Sequence, residues 1–274
     1  VQLTTRFTLW DESGSVQQFA RAIERIEQLR GTESRKAPSE YVGPDPTVRV
    51  PRTNPRKLDR AAAGFSPPAD FDRYDFTPGQ PAWWPKNIDL TIDDGPRPTR
   101  LKKILAVLDG WGVKATFFFI GANVTRHWIA RPDYARNLMQ GMLDMGHRIG
   151  YHSMNHQTRW FRHLQAYTPA QIRDDIELFE TVMSLTLGEA WIPEWARLPG
   201  GMGRKFRHVR QGLHLGGLRA SVEWDMEEEA WGPATSNSNL RRLAARLVRS
   251  KEDTGILLHQ YAGLDRQLDV FVGG

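Results

Sequence analysis

Two adjacent carboxylates (Asp93 and Asp94), two histidines four residues apart (His152 and His156), a single Arg197 and a late His259 are the residues whose types and spacing could do chemistry. Neighbouring acids repel, so a chain that keeps two together needs a cation, a hydrogen-bond network or full solvation to tolerate them. Histidines at this spacing put both imidazoles on one side of a helical turn, which is metal-ligand spacing. Two imidazoles and one carboxylate make a nitrogen and oxygen site with positions left open for water and substrate, as a hydrolytic metal centre requires. Each group also has a plain structural reading. The acids could cap a turn, the histidines could be a surface or core pair, Arg197 a surface ion pair and His259 a strand-end hydrogen bond. The conjunction favours chemistry, because the groups fall at the ends of separate expected strands.

Those strands come from the pattern around the groups. Ile88 to Ile92 alternates apolar and polar with β-branched residues, and Gly95-Pro96 stops it, so the two acids sit at a strand's C-terminal end. Lys114 to Ile120, Arg148 to His152, Trp195 to Leu198, Gly217 to Trp224 and Gly255 to His259 read as further strands. Between them lie helical stripes. Leu101, Ile104, Leu105 and Leu108 follow a possible cap at Thr99, and Leu138, Met142 and Leu143 follow Pro132. Ile172, Ile176, Phe179, Val182 and Met183 follow the Thr168-Pro169-Ala170-Gln171 capping box, and Leu240, Leu243, Leu247 and Val248 mark a last helix. Strands alternating with helices at this regularity predict an α/β fold, a mainly parallel sheet forming an open or incomplete barrel. Active sites of such sheets are built at the C-terminal strand ends.

The chain of 274 residues has room for one large α/β domain with an appendage. Three regions are expected. Residues 1–30 carry a small amphipathic helix with Val16, Phe19, Ile23, Ile26 and Leu29 on one face, and residues 31–85 form an extended arm holding more than half of the 17 prolines. Its aromatic end, Phe71, Tyr74, Phe76, Trp83 and Trp84, is expected to pack on residues 86–274, the catalytic domain. With no cysteine, disulfides and thiolate metal sites are excluded, and any metal must use His, Asp or Glu. The net charge of +5 is modest and scattered, with no nucleic-acid motif to support it, and no apolar run is long enough to span a bilayer.

The motif order Thr91-Ile92-Asp93-Asp94-Gly95-Pro96, His152-Ser153-x-x-His156, Arg197-x-Pro199, Trp224-Asp225 with Trp231, and Leu257-Leu258-His259 resembles that of the polysaccharide deacetylases, the NodB-homology carbohydrate esterases of family four. The resemblance implies a distorted, incomplete (β/α) barrel that removes acetyl groups from N-acetylglucosamine-containing glycan, peptidoglycan or a chitin-like polymer, with a divalent metal. Zinc is the first expectation, with cobalt, nickel or manganese as alternatives. Carried over by position, Asp94, His152 and His156 bind the metal and Asp93 is the general base acting on metal-bound water. Arg197 holds Asp93, and His259 is the general acid for the departing amine. Gly200 supplies an oxyanion N–H, while Trp231 and Leu257 wall the acetyl pocket. An acetylated glycan is thus the implied partner, with an extracytoplasmic location, periplasmic or secreted, and no leader in this chain.

Three positions depart from that family's pattern. Gly200 replaces the usual aromatic residue, Ala230 stands where an aspartate normally supports the catalytic histidine, and Gln260 replaces a frequent aspartate. Glu227, Glu228 or Glu229 could substitute for that aspartate. A non-catalytic glycan-binding or interaction protein that retains the metal site is the alternative these changes suggest. An iron(II) oxidation site of two histidines and one carboxylate is a third reading, opposed by the extra Asp93 and by Arg197.

Overall fold

The computed structural model describes residues 54–71, 74–156, 164–227, 236–250 and 252–273. The amphipathic helix expected within residues 1–30, the arm up to residue 53, Ala230 and Trp231 lie outside them. Seven strands, β1 (Ile88–Gly95), β2 (Thr116–Phe119), β3 (Arg148–Tyr151), β4 (Trp195–Ala196), β5 (Ala220–Ser221), β6 (Met226–Glu227) and β7 (Thr254–His259), form one sheet in the order β5-β4-β3-β2-β1-β7-β6. Every pairing is parallel. Central β1 is buried almost throughout, the signature of a parallel strand covered on both faces.

Simple lengths force this sheet to curl. Laid flat, seven strands would hold β5 and β6 about 29 Å apart at the usual inter-strand spacing. The chain from Ser221 to Met226 reaches at most about 18 Å. The two edges must therefore approach each other, and since they do not pair, the result is a distorted, incomplete barrel.

Eight helices clothe it among the described residues: α1 (Pro55–Ala61), α2 (Pro98–Trp111), α3 (Gly121–Ala130), α4 (Pro132–Asp144), α5 (Pro169–Leu187), α6 (Arg207–Leu215), α7 (Asn237–Arg249) and α8 (Leu264–Val272). The capping box forms as expected, Thr168 accepting from the Gln171 N–H and the Gln171 side chain accepting from the Thr168 N–H. Other local expectations shift. Thr99 lies inside α2 and caps nothing, because Pro98 already occupies the first turn after Arg97. On α4 the buried residues are Ala135, Met139 and Met142, while Leu138 and Leu143 are half-buried at the margin. Val248 is 60% exposed, since α7 buries the stripe of Leu240, Leu243, Ala244 and Leu247 instead. Helices α3, α6 and α8 are not among the sequence expectations, nor is α1, which lies in the stretch expected to be extended. Their buried stripes are regular, Val124 with Trp128 on α3, Val209 with Leu213 on α6 and Leu264, Leu268 and Phe271 on α8, but each helix is short and depends on the packing of that stripe.

The described part of the arm carries α1, capped by the Asn54 side chain, and then runs along the N-terminal ends of β1 and β2. Trp84 is buried and donates from Nε1 to the Ile88 carbonyl at 2.9 Å, whereas Trp83 is 53% exposed. Buried Asp89 accepts from the Tyr74 hydroxyl and, at 3.0 Å, from the Thr77 N–H. Burial pushes both the Tyr74 and the Asp89 pKa up, opposed at Asp89 by these hydrogen bonds.

Candidate active site

Register brings the chemical groups to one level. Asp93 pairs with His259 across β1 and β7, Phe119 pairs with the Tyr151 that precedes His152, and Tyr151 pairs with the Ala196 that precedes Arg197. Four parallel strands thus deliver Asp93, His152, Arg197 and His259 to the C-terminal rim. Two-residue alternation puts Thr91 with Asp93, and Leu257 with His259, on shared faces.

Asp94, His152 and His156 present one ligand atom each, all within 4.8 Å of one another. Asp94 Oδ1 lies 3.5 Å from His152 Nε2 and 3.2 Å from His156 Nε2. The imidazoles are not on a helical turn, as their spacing suggested. They sit in the loop after β3, where Ser153 (φ 56) and His156 (φ 44) take left-handed conformations, and Asp94 (φ 67) does the same after β1. Three non-glycine residues in that region are a concentrated strain, of the sort found where function over-determines the backbone. His152 Nδ1 lies 2.7 Å from the Arg197 carbonyl, so it carries the proton and leaves the Nε2 lone pair facing Asp94. Burial and the neighbouring His152 push the His156 pKa down, keeping that ring neutral. Burial would raise Asp94, yet the approach of His152 and electrostatic attraction to the His156, His152 and His259 rings hold it at about 2. The buried Asp94 Oδ1 has no hydrogen-bond partner. An ionised oxygen and two imidazole lone pairs converging without a proton between them fit a divalent cation, and the donor set suits zinc or another first-row ion.

The loop is held from below. Ser153 and Met154 carbonyls accept from the Gly121 and Ala122 N–H groups at 3.1 and 2.8 Å, and the His156 N–H donates to Ser153 Oγ at 2.9 Å. Fully buried Asp175 of α5 accepts from the Met154 N–H at 3.0 Å and from the Tyr151 hydroxyl at 2.6 Å. One carboxylate thereby grips both sides of His152. Burial raises Asp175 to about 6 against the pull of those two bonds. The folded protein therefore keeps a proton that the unfolded chain has lost between roughly pH 4 and 6, so this group subtracts stability as pH rises through that window. Asp175→Ala is expected to cost about 2 kcal/mol of stability by orphaning two buried donors. It should also weaken metal uptake about 10- to 100-fold. Unchanged metal affinity by calorimetry would show that the loop holds itself.

Asp93 is almost fully buried between two partners. Its Oδ1 lies 3.6 Å from Arg197 Nη1 and its Oδ2 lies 3.6 Å from His152 Nε2. Arg197 is completely buried, its Nη2 donating to Thr91 Oγ1 at 2.8 Å. Its guanidinium lies over the rings of Phe118 and Trp224, 4.7 and 5.1 Å from their centroids. A guanidinium sandwiched between rings and tied to a threonine has little freedom, so its charge stays beside Asp93.

Residues 84–219 match the family model described as polysaccharide deacetylase. The chain carries a domain of that family. The similar curated relatives include a bifunctional xylanase/deacetylase of Pseudobutyrivibrio xylanivorans, 28% identical over 65% of this chain and 26% of its own length. A peptidoglycan-N-acetylglucosamine deacetylase of Bacillus cereus is 41% identical over 26% of this chain and 30% of its own length. A chitooligosaccharide deacetylase of a Bradyrhizobium strain is 29% identical over 53% of this chain and 59% of its own length. The chain thus spans between about a quarter and three-fifths of these relatives. Among solved structures, a family 4 carbohydrate esterase from Streptomyces lividans is similar at a TM-score of 0.52 and 22% identity, covering 68% of this chain and 85% of that one. A family 4 acetyl xylan esterase from Clostridium thermocellum, in complex with a cobalt ion, gives 0.50 and 25%, covering 68% of this chain and 82% of that one.

The polysaccharide deacetylase domain accounts for its own departures in physical terms. Gly200 adopts φ 58, a left-handed conformation that favours glycine over the aromatic residue common in the family. Gln260 accepts from the Arg97 N–H at 2.9 Å through Oε1, tying the strand-end turn to β7. A Cβ at Gly95 would fall 2.2 Å from Gln260 Nε2, so the glycine is what admits that side chain. Leu257 is buried on β7. Asp175 escaped the sequence reading, although an acid inside the apolar stripe of Ile172, Ile176 and Phe179 was the signal that could have found it.

Proposed function

We propose that this domain hydrolyses acetyl groups from N-acetylglucosamine-containing glycan, peptidoglycan or a chitin-like polymer, in a divalent-metal-dependent reaction. The observation that carries the reading is the convergence of Asp94, His152 and His156 beside a second buried carboxylate, Asp93, with Arg197 against it. The deacetylase names of the similar curated proteins point to the same class. When bound, a divalent ion, zinc foremost with cobalt, nickel or manganese as substitutes, polarises the acetyl carbonyl and acidifies water.

The chain's own residues do the rest. Asp93 takes the proton from the attacking water, its charge kept available by Arg197 and its direction fixed by burial. His259, opposite Asp93 in the strand register, gives a proton to the departing amine. The Gly200 N–H supplies oxyanion stabilisation, and Leu257 bounds the acetyl methyl. An extracytoplasmic location, periplasmic or secreted, is supported by the peptidoglycan in the name of one similar curated protein.

The test is acetate release from N-acetylglucosamine oligomers, peptidoglycan and acetylated xylan, run beside metal content by mass spectrometry. Chelation is expected to remove about one metal per chain and to abolish release, with zinc restoring both. Release that survives removal of the metal would reject the proposal. Ala230 favours the second reading, a glycan-binding protein without turnover. Tight oligosaccharide binding with no acetate after long incubation would establish it.

A further inference from the structure

Helix α6 lies in the crossover between parallel β4 and β5, so it begins at the rim that bears Arg197 and runs away from it. Arm helix α1 docks on that beginning. Asp59 of α1 accepts from the Arg207 N–H, its Oδ1 lies 3.8 Å from His208 Nδ1, and Arg207 Nη1 donates to the Ala63 carbonyl at 3.1 Å. The same helix packs against the Leu164–Ala166 turn, which leads from the histidine loop into α5. The arm therefore flanks the rim rather than lying beneath the barrel at this point.

What it brings there is positive charge. Arg56, Lys57 and Arg60 of α1 are exposed, and so are Lys205 and Arg207 at the start of α6. Among the described residues no carboxylate pairs with Arg56, Lys57, Arg60 or Lys205. Two acids among the described residues are already engaged there: Asp59 serves the Arg207 N–H, and Glu223 pairs with Arg204 at 2.8 Å. Five cations along one edge raise the local concentration of an anionic polymer and orient it along the rim.

We propose that this flank selects glycan strands bearing carboxylates, on the sugar or on attached peptides, over neutral chitin-like polymer. The inference rests on the deacetylase reading and deepens it. The test compares the full chain with the variant R56Q/K57Q/R60Q, in which glutamine preserves helix propensity and thermal unfolding confirms the fold. For peptidoglycan glycan strands KM is expected to rise about tenfold with kcat unchanged, while chitohexaose is unaffected. The unmodified chain's preference should also fade between about 50 and about 500 mM salt. An effect confined to peptide-bearing fragments assigns the carboxylate to the peptide, and an effect on stripped strands assigns it to the sugar. Equal changes on chitohexaose, absence of salt dependence, or duplex DNA bound more tightly than the glycan would each overturn the proposal. Calorimetric binding of the same probes keeps this question separate from turnover. If no substrate releases acetate, the deacetylase reading fails while the charge preference is still read.

Discussion

Asp93→Asn is expected to keep the fold and metal uptake, at a cost in thermal stability from leaving the buried Arg197 charge unmatched, and to lower kcat about 1,000-fold, within the range that a positioned acid-base group contributes. The substitution keeps side-chain volume and removes only the charge and proton-accepting capacity of a buried group. Asp93 is not among the three converging ligand atoms, since its Oδ2 stands 3.6 Å from His152 Nε2 while Asp94 holds the shared position. Metal content by mass spectrometry and kcat by acetate release should therefore separate. Removal of Asp94 or His152 would lower both together. A variant that loses metal along with activity would reassign Asp93 to the ligand set. One that retains full kcat would leave the reaction without its base.

Arg197→Leu is expected to destabilise the protein by about 3–5 kcal/mol, the usual consequence of stranding one member of a buried pair. Asp93 Oδ1 has no hydrogen-bond partner beyond the guanidinium 3.6 Å away, so removing that charge leaves an uncompensated carboxylate in the core. Trp224 and Phe118, which now sandwich the guanidinium, would close over a smaller aliphatic side chain and lose their cation contacts. Thermal unfolding reads the first effect. The double variant with Asp93→Asn isolates the pair: if the charge is the cause, the second substitution should recover a large part of the loss, a non-additivity expected for residues in contact. Purely additive losses would mean that Arg197 stabilises through packing alone.

The alternation of strands and helices, the strand-end position of the Asp-Asp-Gly-Pro turn and the two histidines were all legible, because each rests on short-range pattern. Buried parallel strands must be β-branched or aromatic runs, as in Thr116–Phe119, and a turn must contain residues such as Gly95 and Pro96. The short helices α1, α3, α6 and α8, of 7 to 10 residues, offer a stripe shorter than the window in which helical periodicity stands out, and their stability comes from packing. The spacing of His152 and His156 implied that the two rings lie close together, and they do, by a different geometry. Four residues were enough to bring the rings to centroids 4.6 Å apart, but through left-handed loop residues rather than a helical turn.

By itself, then, the sequence determined which residue types could bind a cation and move a proton, and that they stand at strand ends of an α/β sheet. Tertiary structure decided that these ends share one rim, through a parallel register and a linker too short for a flat sheet. It also decided that Asp175, an acid on an apolar helix face, grips the histidine loop. Burial, convergence and curl are consequences of long-range packing, and no window of neighbouring residues contains them.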